Sequence, residues 1–172
     1  MFPVIVHLRE YFFADEPLNK AVGLCRRGEP HEELEQQCMA TMTDGLSIAA
    51  IENNQVVGVS LNGLVSRDLD LFNNFRVDCI LECRIVSVAS EARGRGMAKE
   101  LISRSLELAR QHGFRLFKVD ATGAFTQRIC RSLGMHELRR IKYSEYRDED
   151  DQPIFQVPPP HHALCIMIKE IA

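Results

Sequence analysis

The stretch Arg84-Ile85-Val86-Ser87-Val88-Ala89-Ser90-Glu91-Ala92-Arg93-Gly94-Arg95-Gly96-Met97-Ala98 decides how the rest of the chain is read. Arg84–Ala89 is short and rich in β-branched residues, the pattern of a buried strand. Beyond the glycines, Ala98, Leu101, Ile102, Ser105, Leu108 and Ala109 recur at i, i+3, i+4 spacing, while Lys99, Arg104, Glu107 and Arg110 fall outside that stripe. This spacing predicts an amphipathic helix laid with one face on a sheet. Two glycines and two arginines lie between strand and helix. Glycine reaches backbone conformations closed to other residues. The first N–H groups of a helix have no intrahelical partner and carry partial positive charge. Such a turn can hold an anion in a concavity of N–H groups, with Arg93 and Arg95 adding full charges, and the expected ligand carries a pyrophosphate. A plain strand–turn–helix junction with solvated arginines has the same local sequence. Neither common nucleotide loop is present: there is no Gly-x-x-x-x-Gly-Lys-Ser/Thr, and position 99 is Lys where Gly-x-Gly-x-x-Gly requires glycine.

The totals set the class. With 172 residues, 45% hydrophobic and 26% charged, the chain reads as one globular domain, residues 1–172, large enough for a real core. A net charge of −3 argues against a general nucleic-acid binder. No apolar run approaches a membrane span and the N-terminus has no signal-peptide pattern. The six cysteines form no Cys-x-x-Cys pair and read as reduced, mostly buried thiols of a cytoplasmic protein. No metal is expected: His161, His162 and Cys165 are close in sequence, but adjacent histidines on a strand point to opposite faces.

Outward from the central stretch, helical spacing covers residues 3–13, a second helix opens at Pro17, and a third runs from His31 to about Met42, closed by Gly45. Leu46–Glu52 and Val56–Leu64 read as a hairpin turning at Asn53-Asn54. Residues 66–79 read as irregular. Residues 114–120 alternate as a strand beside the first one. Thr122–Leu133 reads as a helix with Thr122 as a good N-cap, Glu137–Tyr146 as a strand, Pro158-Pro159-Pro160 as a stiff extended linker, and Ala163–Ile168 as a last strand. The order implies an α/β (α+β) fold, a mixed twisted sheet with helices on both faces. A parallel pair at 84–89 and 114–120 would lie at its centre, with the ligand at their C-terminal ends.

The order Arg93-x-x-Gly96-x-Ala98 resembles the acyl-CoA signature of the GCN5-related N-acetyltransferase superfamily. Four stretches, FFADEPLN (12–19), RIVSVASEARGRGMAKELI (84–102), TGAFTQRICRSLGM (122–135) and DQPIFQVPPPHHALCIMIKEI (151–171), resemble the insect-type arylalkylamine (dopamine-like) N-acetyltransferases. The likeness covers residues 4–65 and 80–170. It implies acetyl transfer from acetyl-CoA to the primary amine of a small arylalkylamine such as dopamine, serotonin, octopamine, tyramine or tryptamine, by direct attack in a ternary complex. The implied partner is that small molecule, with no nucleic acid and no membrane, in a monomer or weak dimer. The family normally opens with a strand before its first helix; here the chain starts almost directly in that helix.

The resemblance also implies roles. Val86, Ser87 and Val88 would lie along the pantetheine arm, a backbone N–H near Val86 or Val88 would bind the acetyl oxygen, and Arg93, Gly94, Arg95, Gly96, Met97, Ala98 and Lys99 would hold the pyrophosphate. Glu16 matches the general base. An amine with a reference pKa near ~10 is mostly ammonium at neutrality and must lose a proton before it can attack. Read alone, Glu16 is also a helix-start acid beside Pro17. Thr122 and Thr126 match two family serines, spaced i, i+4 on one helical face. His161 matches a family histidine that could relay protons between Glu16 and solvent. Many superfamily members carry a tyrosine as general acid where this chain has Cys130, and a packed thiol is the expectation there. Two rivals follow from the residues: acylation of a non-aromatic amine such as agmatine or a polyamine, with Glu33, Asp78 or Glu145 as a second pocket carboxylate, and a non-catalytic acyl-CoA-binding module.

Overall fold

The computed structural model describes residues 2–65 and 69–171. Three helices come first: α1 (Phe2–Tyr11), α2 (Pro17–Ala21) and α3 (Glu32–Thr43). The hairpin β1 (Ile48–Glu52) and β2 (Gln55–Leu64) follows, then α4 (Leu69–Phe75), β3 (Leu81–Val88), α5 (Met97–Gln111), β4 (Leu116–Ala121), α6 (Ala124–Ser132), β5 (His136–Lys142) and β6 (Ala163–Glu170). The strands form one sheet in the order β1-β2-β3-β4-β6-β5, parallel only between β3 and β4. Asn53 and Asn54 both take positive φ (50° and 61°), the requirement of the tight hairpin turn that asparagine tolerates.

The sheet is covered on both faces. On one, Leu81, Cys83, Phe117, Val119 and Met167 pack with Ile102 and Ala109 of α5 and Cys130 of α6. On the other, Ile5, Leu8 and Phe13 pack with Cys38 of α3 on Val59 and Leu61. Near α4, Leu71, Val77 and Ile80 pack with Leu116 and Ile168.

The central parallel pair is short. Leu81, Glu82 and Cys83 face Phe117, Lys118 and Val119, and there the pairing ends. β3 continues to Val88 on β2, while β4 continues to Ala121 on β6. The separation begins where Arg84 is the extra residue of a bulge: Ile85 opposes Leu61 and Cys83 opposes Asn62. A bulge bends and twists the strand that carries it. The bulge is pinned from the helix side. Fully buried Asn62 donates its amide to the Leu46 carbonyl (2.8 Å) and to Ser105 Oγ (2.9 Å), and accepts from Ser60 Oγ (3.1 Å). Beyond the opening, Gln127 of α6 donates to the carbonyls of Ala121 and Ala163, tying the helix to β4 and β6.

Several sequence expectations are corrected. β3 starts at Leu81, three residues earlier than expected, because Glu82 interrupts the apolar pattern there. Leu69–Phe75 is helical within the stretch read as irregular; residues 66–68 lie outside the described residues. The strand expected over 137–146 ends at Lys142 and gives way to a 3₁₀ turn, Tyr143–Glu145. The triple proline turns instead of running extended, with a cis bond between Pro159 and Pro160. The outermost strand β5 carries His136, Glu137, Arg139, Arg140 and Lys142, and only Ile141 on it is half-buried.

Candidate active site

The opening between β3 and β4 is lined by backbone. The Ala89 N–H donates to the Val57 carbonyl on β2 (2.9 Å). Strand groups alternate sides, so the N–H groups of Val88 and Val86 point away from β2. β4 has already left at that level, so these groups face the opening. Ser87 turns its hydroxyl the other way, to Nε2 of buried His7 (3.0 Å), whose Nδ1–H donates to the Val56 carbonyl (3.0 Å). Burial holds the His7 pKa below the ordinary histidine value, which keeps it neutral in this clamp between α1 and the sheet.

The loop after β3 has the conformation its glycines predict. Gly94 and Gly96 both stand at φ +78°, and a Cβ at either would meet nothing within 4 Å. No side chain caps α5. Val88, Gly94, Gly96, Ala98, Lys99 and Ile129 are among the residues lining a hollow of about 220 Å³ at this helix start. The two arginines are engaged with protein groups. Arg95 makes a two-pronged ion pair with Glu52 of the hairpin (3.0 and 3.2 Å). Arg93 donates to the Val88 carbonyl (3.1 Å) and lies 3.6 Å from Asp15. The loop's own anion-holding capacity therefore rests first on its backbone N–H groups.

A second cavity, about 570 Å³, lies on the α1–α3 side of the sheet. Phe12, Phe13, Leu18, Leu34, Leu61 and Ile85 give it apolar walls, while Glu16, Gln37, Thr41, Arg84, Asp120 and Thr122 bring polar groups to it. Glu16 caps α2: its Oε2 accepts from the Asn19 N–H at 2.8 Å. Its Oε1 is buried and is the one buried side-chain polar atom without a hydrogen-bond partner among the described residues. The helix-start reading of Glu16 thus rests on Oε2, while Oε1 stays without a partner on the cavity wall. A buried acceptor without a partner is costly, and an ammonium would satisfy it.

Glu16, Thr122 and His161 are brought together at the end of β4. A Cβ at Gly123 would lie 3.5 Å from the His161 ring and 3.7 Å from Pro17, the residue after Glu16. Thr122 is half-buried on the cavity wall, and its carbonyl accepts from the Tyr143 hydroxyl. Thr122 is not the N-cap: α6 begins at Ala124 with Gly123 as cap residue. Thr122 and Thr126 therefore do not share a helical face, and Thr126 is not among that cavity's lining residues. The cap comes from 37 residues away, where His161 Nδ1 accepts from the Ala124 N–H (3.0 Å). That bond engages the Nδ1 lone pair, so a capping role stands beside the expected relay. His161→Ala is expected to destabilise the fold by about 1 kcal/mol, read by urea unfolding, with His161→Gln losing less. Unchanged stability with lost turnover would return His161 to proton transfer.

None of Glu33, Asp78 and Glu145 lies on this cavity. Glu33 and Glu145 are exposed, and Asp78 lines a separate hollow with Phe72 and Arg76. The second carboxylate on the wall is Asp120, which the sequence reading missed.

The model of the Acetyltransferase (GNAT) family matches residues 7–135. The chain belongs to the GNAT acetyltransferase family. The crystal structure of arylalkylamine N-acetyltransferase 2 from Aedes aegypti is 44% identical, with a TM-score of 0.95 over 99% of this chain and 94% of that one. The Drosophila melanogaster polyamine N-acetyltransferase that forms N-acetylagmatine has a TM-score of 0.84 at 18% identity, covering 99% and 94% of the two chains. The C-terminal condensation domain of Ebony, in complex with β-alanyl-dopamine, has a TM-score of 0.75 at 17% identity over 98% and 92%. The last two likenesses are of fold.

In this acetyltransferase the Cys130 thiol is packed away from solvent. Cys130, at the position where many GNAT enzymes carry a tyrosine, is fully buried, and burial followed by the nearby Cys83 pushes its pKa up to about 12. A thiol in that state is a poor nucleophile. Cys130→Ala is expected to leave turnover within a few-fold, and intact mass after mixing with acetyl-CoA should show no acetylated protein. An acetyl adduct present in the wild type and lost in the variant would overturn direct attack. Among the described residues no group of three or more His, Cys, Asp or Glu side chains is placed to hold a metal, and no helix is long and apolar enough to cross a membrane.

Proposed function

We propose that this acetyltransferase moves the acetyl group of acetyl-CoA onto the primary amine of small arylalkylamines, with dopamine, serotonin, octopamine, tyramine and tryptamine as the candidates. It would act as a single cytoplasmic domain, a monomer or weak dimer, on a small molecule and without a metal, by direct attack in a ternary complex. The observation that carries this reading is the unpartnered, buried Oε1 of Glu16 on the wall of a cavity faced by Phe12 and Phe13. A carboxylate oxygen among aromatic and aliphatic side chains suits an ammonium joined to an aromatic body. The 44% identity to a mosquito arylalkylamine N-acetyltransferase supports the same substrate class.

The residues divide the work. Gly94, Gly96 and the uncapped start of α5 fit a pyrophosphate, with Arg93, Arg95, Met97, Ala98 and Lys99 around them. Val86 and Val88 border the pantetheine path, and their N–H groups can stabilise negative charge developing on a carbonyl oxygen; Ser87 contributes backbone only. Bound acetyl-CoA supplies the thioester carbonyl that the amine attacks. Glu16 binds the ammonium and accepts its proton, directly or through water. The Thr122 hydroxyl can orient that amine from the cavity wall, His161 holds the start of α6, and Thr126 lies in the first turn of that helix.

The rival with agmatine or a polyamine is the weaker one, because the second wall carboxylate, Asp120, is already ion-paired with Lys118 at 2.6 Å. An amine panel with acetyl-CoA, read by thiol release, tests the reading. Arylalkylamines are expected to turn over best. Turnover confined to agmatine or polyamines would overturn the substrate class, and acetyl-CoA binding without turnover on any amine would overturn the activity.

A further inference from the structure

The far end of the amine cavity holds a charge arrangement that the reaction itself does not need. Lys118 is buried on β4, its side chain 8% exposed, and it donates to both Glu82 and Asp120. Asp120 and Arg84 stand on the cavity wall. Arg84 donates to Thr41 Oγ1 (2.8 Å) and to the Leu64 carbonyl (2.8 Å), and its Nε lies 3.4 Å from Glu82. Two cations thus meet two carboxylates, and the group is neutral. Burial pushes the Lys118 ammonium down, but Glu82 and Asp120 together outweigh it, so its pKa stands above the ordinary lysine value. The lysine is a permanent charge.

The spacing along β4 places this group relative to Glu16. Gly123 packs beside Pro17, and Asp120 lies three residues back, about 10 Å at ~3.3 Å per residue. Cys83 opposes Val119, so Arg84 stands level with Asp120. A substrate held by its ammonium at Glu16 and running along the strand would bring its other end to Arg84, Thr41 and Asp120. Arg84 uses three of its five N–H donors on the protein, which leaves donors for an acceptor on the substrate. A second ammonium arriving there would lose water and find both carboxylates already paired, with no net negative charge left to receive it, so its desolvation goes uncompensated.

Building on the amine N-acetyltransferase reading, we infer that Lys118 and Arg84 are specificity-determining residues: they exclude a second cation from the distal end of the cavity and select monoamines whose distal group is a neutral hydrogen-bonding one, such as a phenol. Lys118 occupies from inside the protein the place a diamine's second charge would take.

The test compares wild type, Lys118→Met and Arg84→Gln, with folding checked by thermal melting. Either substitution leaves the distal group one charge more negative. The readouts are kcat/KM for tyramine and for agmatine, with calorimetric Kd values for the same two amines. The expected result is a wild-type preference for tyramine that falls by about tenfold or more in each variant, chiefly through improved agmatine values. Ratios within twofold of wild type in a folded variant, or a wild type that prefers agmatine, would overturn the inference. If neither amine is acetylated, the activity reading fails separately, and the inference is judged on Kd: agmatine binding that does not strengthen in the variants would sink it. Should Lys118→Met fail to fold because Glu82 loses its partner, half-exposed Arg84 carries the test through Arg84→Gln.

Discussion

Glu16→Gln is expected to lower turnover by roughly 10²–10⁴, the usual worth of a positioned base, while acetyl-CoA affinity stays within a few-fold. The fold should survive, because glutamine retains one carbonyl oxygen to accept from the Asn19 N–H, as Glu16 Oε2 does at 2.8 Å. The other position would carry an amide NH₂ where Oε1 now has no partner, so the variant can neither attract an ammonium nor take its proton. In the wild type, kcat/KM should rise with pH as the proton-accepting group ionises. The variant should regain rate mainly at high pH, as the fraction of neutral amine grows toward the reference pKa near ~10. Steady-state rates between pH 6 and pH 10, with calorimetry for acetyl-CoA, would check this. Near-normal turnover of Glu16→Gln at neutral pH would leave Glu16 as a helix cap alone.

Gly96→Val is expected to weaken acetyl-CoA binding by about tenfold or more, with amine affinity largely kept. Gly96 stands at φ +78°, where a side chain costs about 1–2 kcal/mol and a β-branched one more. No protein atom lies within 4 Å of the new Cβ, so the protein could fold around it. The valine would instead project into the open space before the first N–H groups of α5 and block close approach of a phosphate. An unchanged CoA dissociation constant would remove the loop from co-substrate binding.

The fold was legible wherever the pattern was local. The strand–glycine–helix stretch at 84–112, the Asn53-Asn54 hairpin and the Pro17 helix start all match, because periodicity and turn chemistry act over a few residues. The misses are long-range. Glu82 is a polar residue ahead of the apolar run, but it points toward Lys118, so β3 begins earlier than that run. The bulge at Arg84 depends on pairing with β2 and leaves no local signal. Thr122 is a good N-cap by type, and the structure caps α6 with His161 across 37 residues instead. Leu69–Phe75 was hidden by Asp70, Asn73 and Asn74, and its tie to the core is Leu71 packing near Leu116. For the candidate site, the motif residues pointed to the loop and to Glu16, and the structure puts each beside a hollow. Asp120 and Lys118 looked like one more alternating strand, since nothing in the local sequence tells a buried lysine from a solvated one.

The charged outer strand β5 bears on behaviour at high concentration. A sheet rim offers unpaired N–H and C=O groups to any passing strand, and lysine and arginine there discourage edge-to-edge growth. Five of the seven residues of His136–Lys142 are charged or titratable, and only Ile141 is even half-buried. A second molecule adding at this rim would have to bring its own strand against a row of mostly basic side chains. The opposite rim, β1, reads Ile48-Ala49-Ala50-Ile51-Glu52 and leaves Ile51 68% exposed. Among the described residues the two rims therefore differ in character: charge guards β5, while β1 presents the exposed apolar side chain of Ile51.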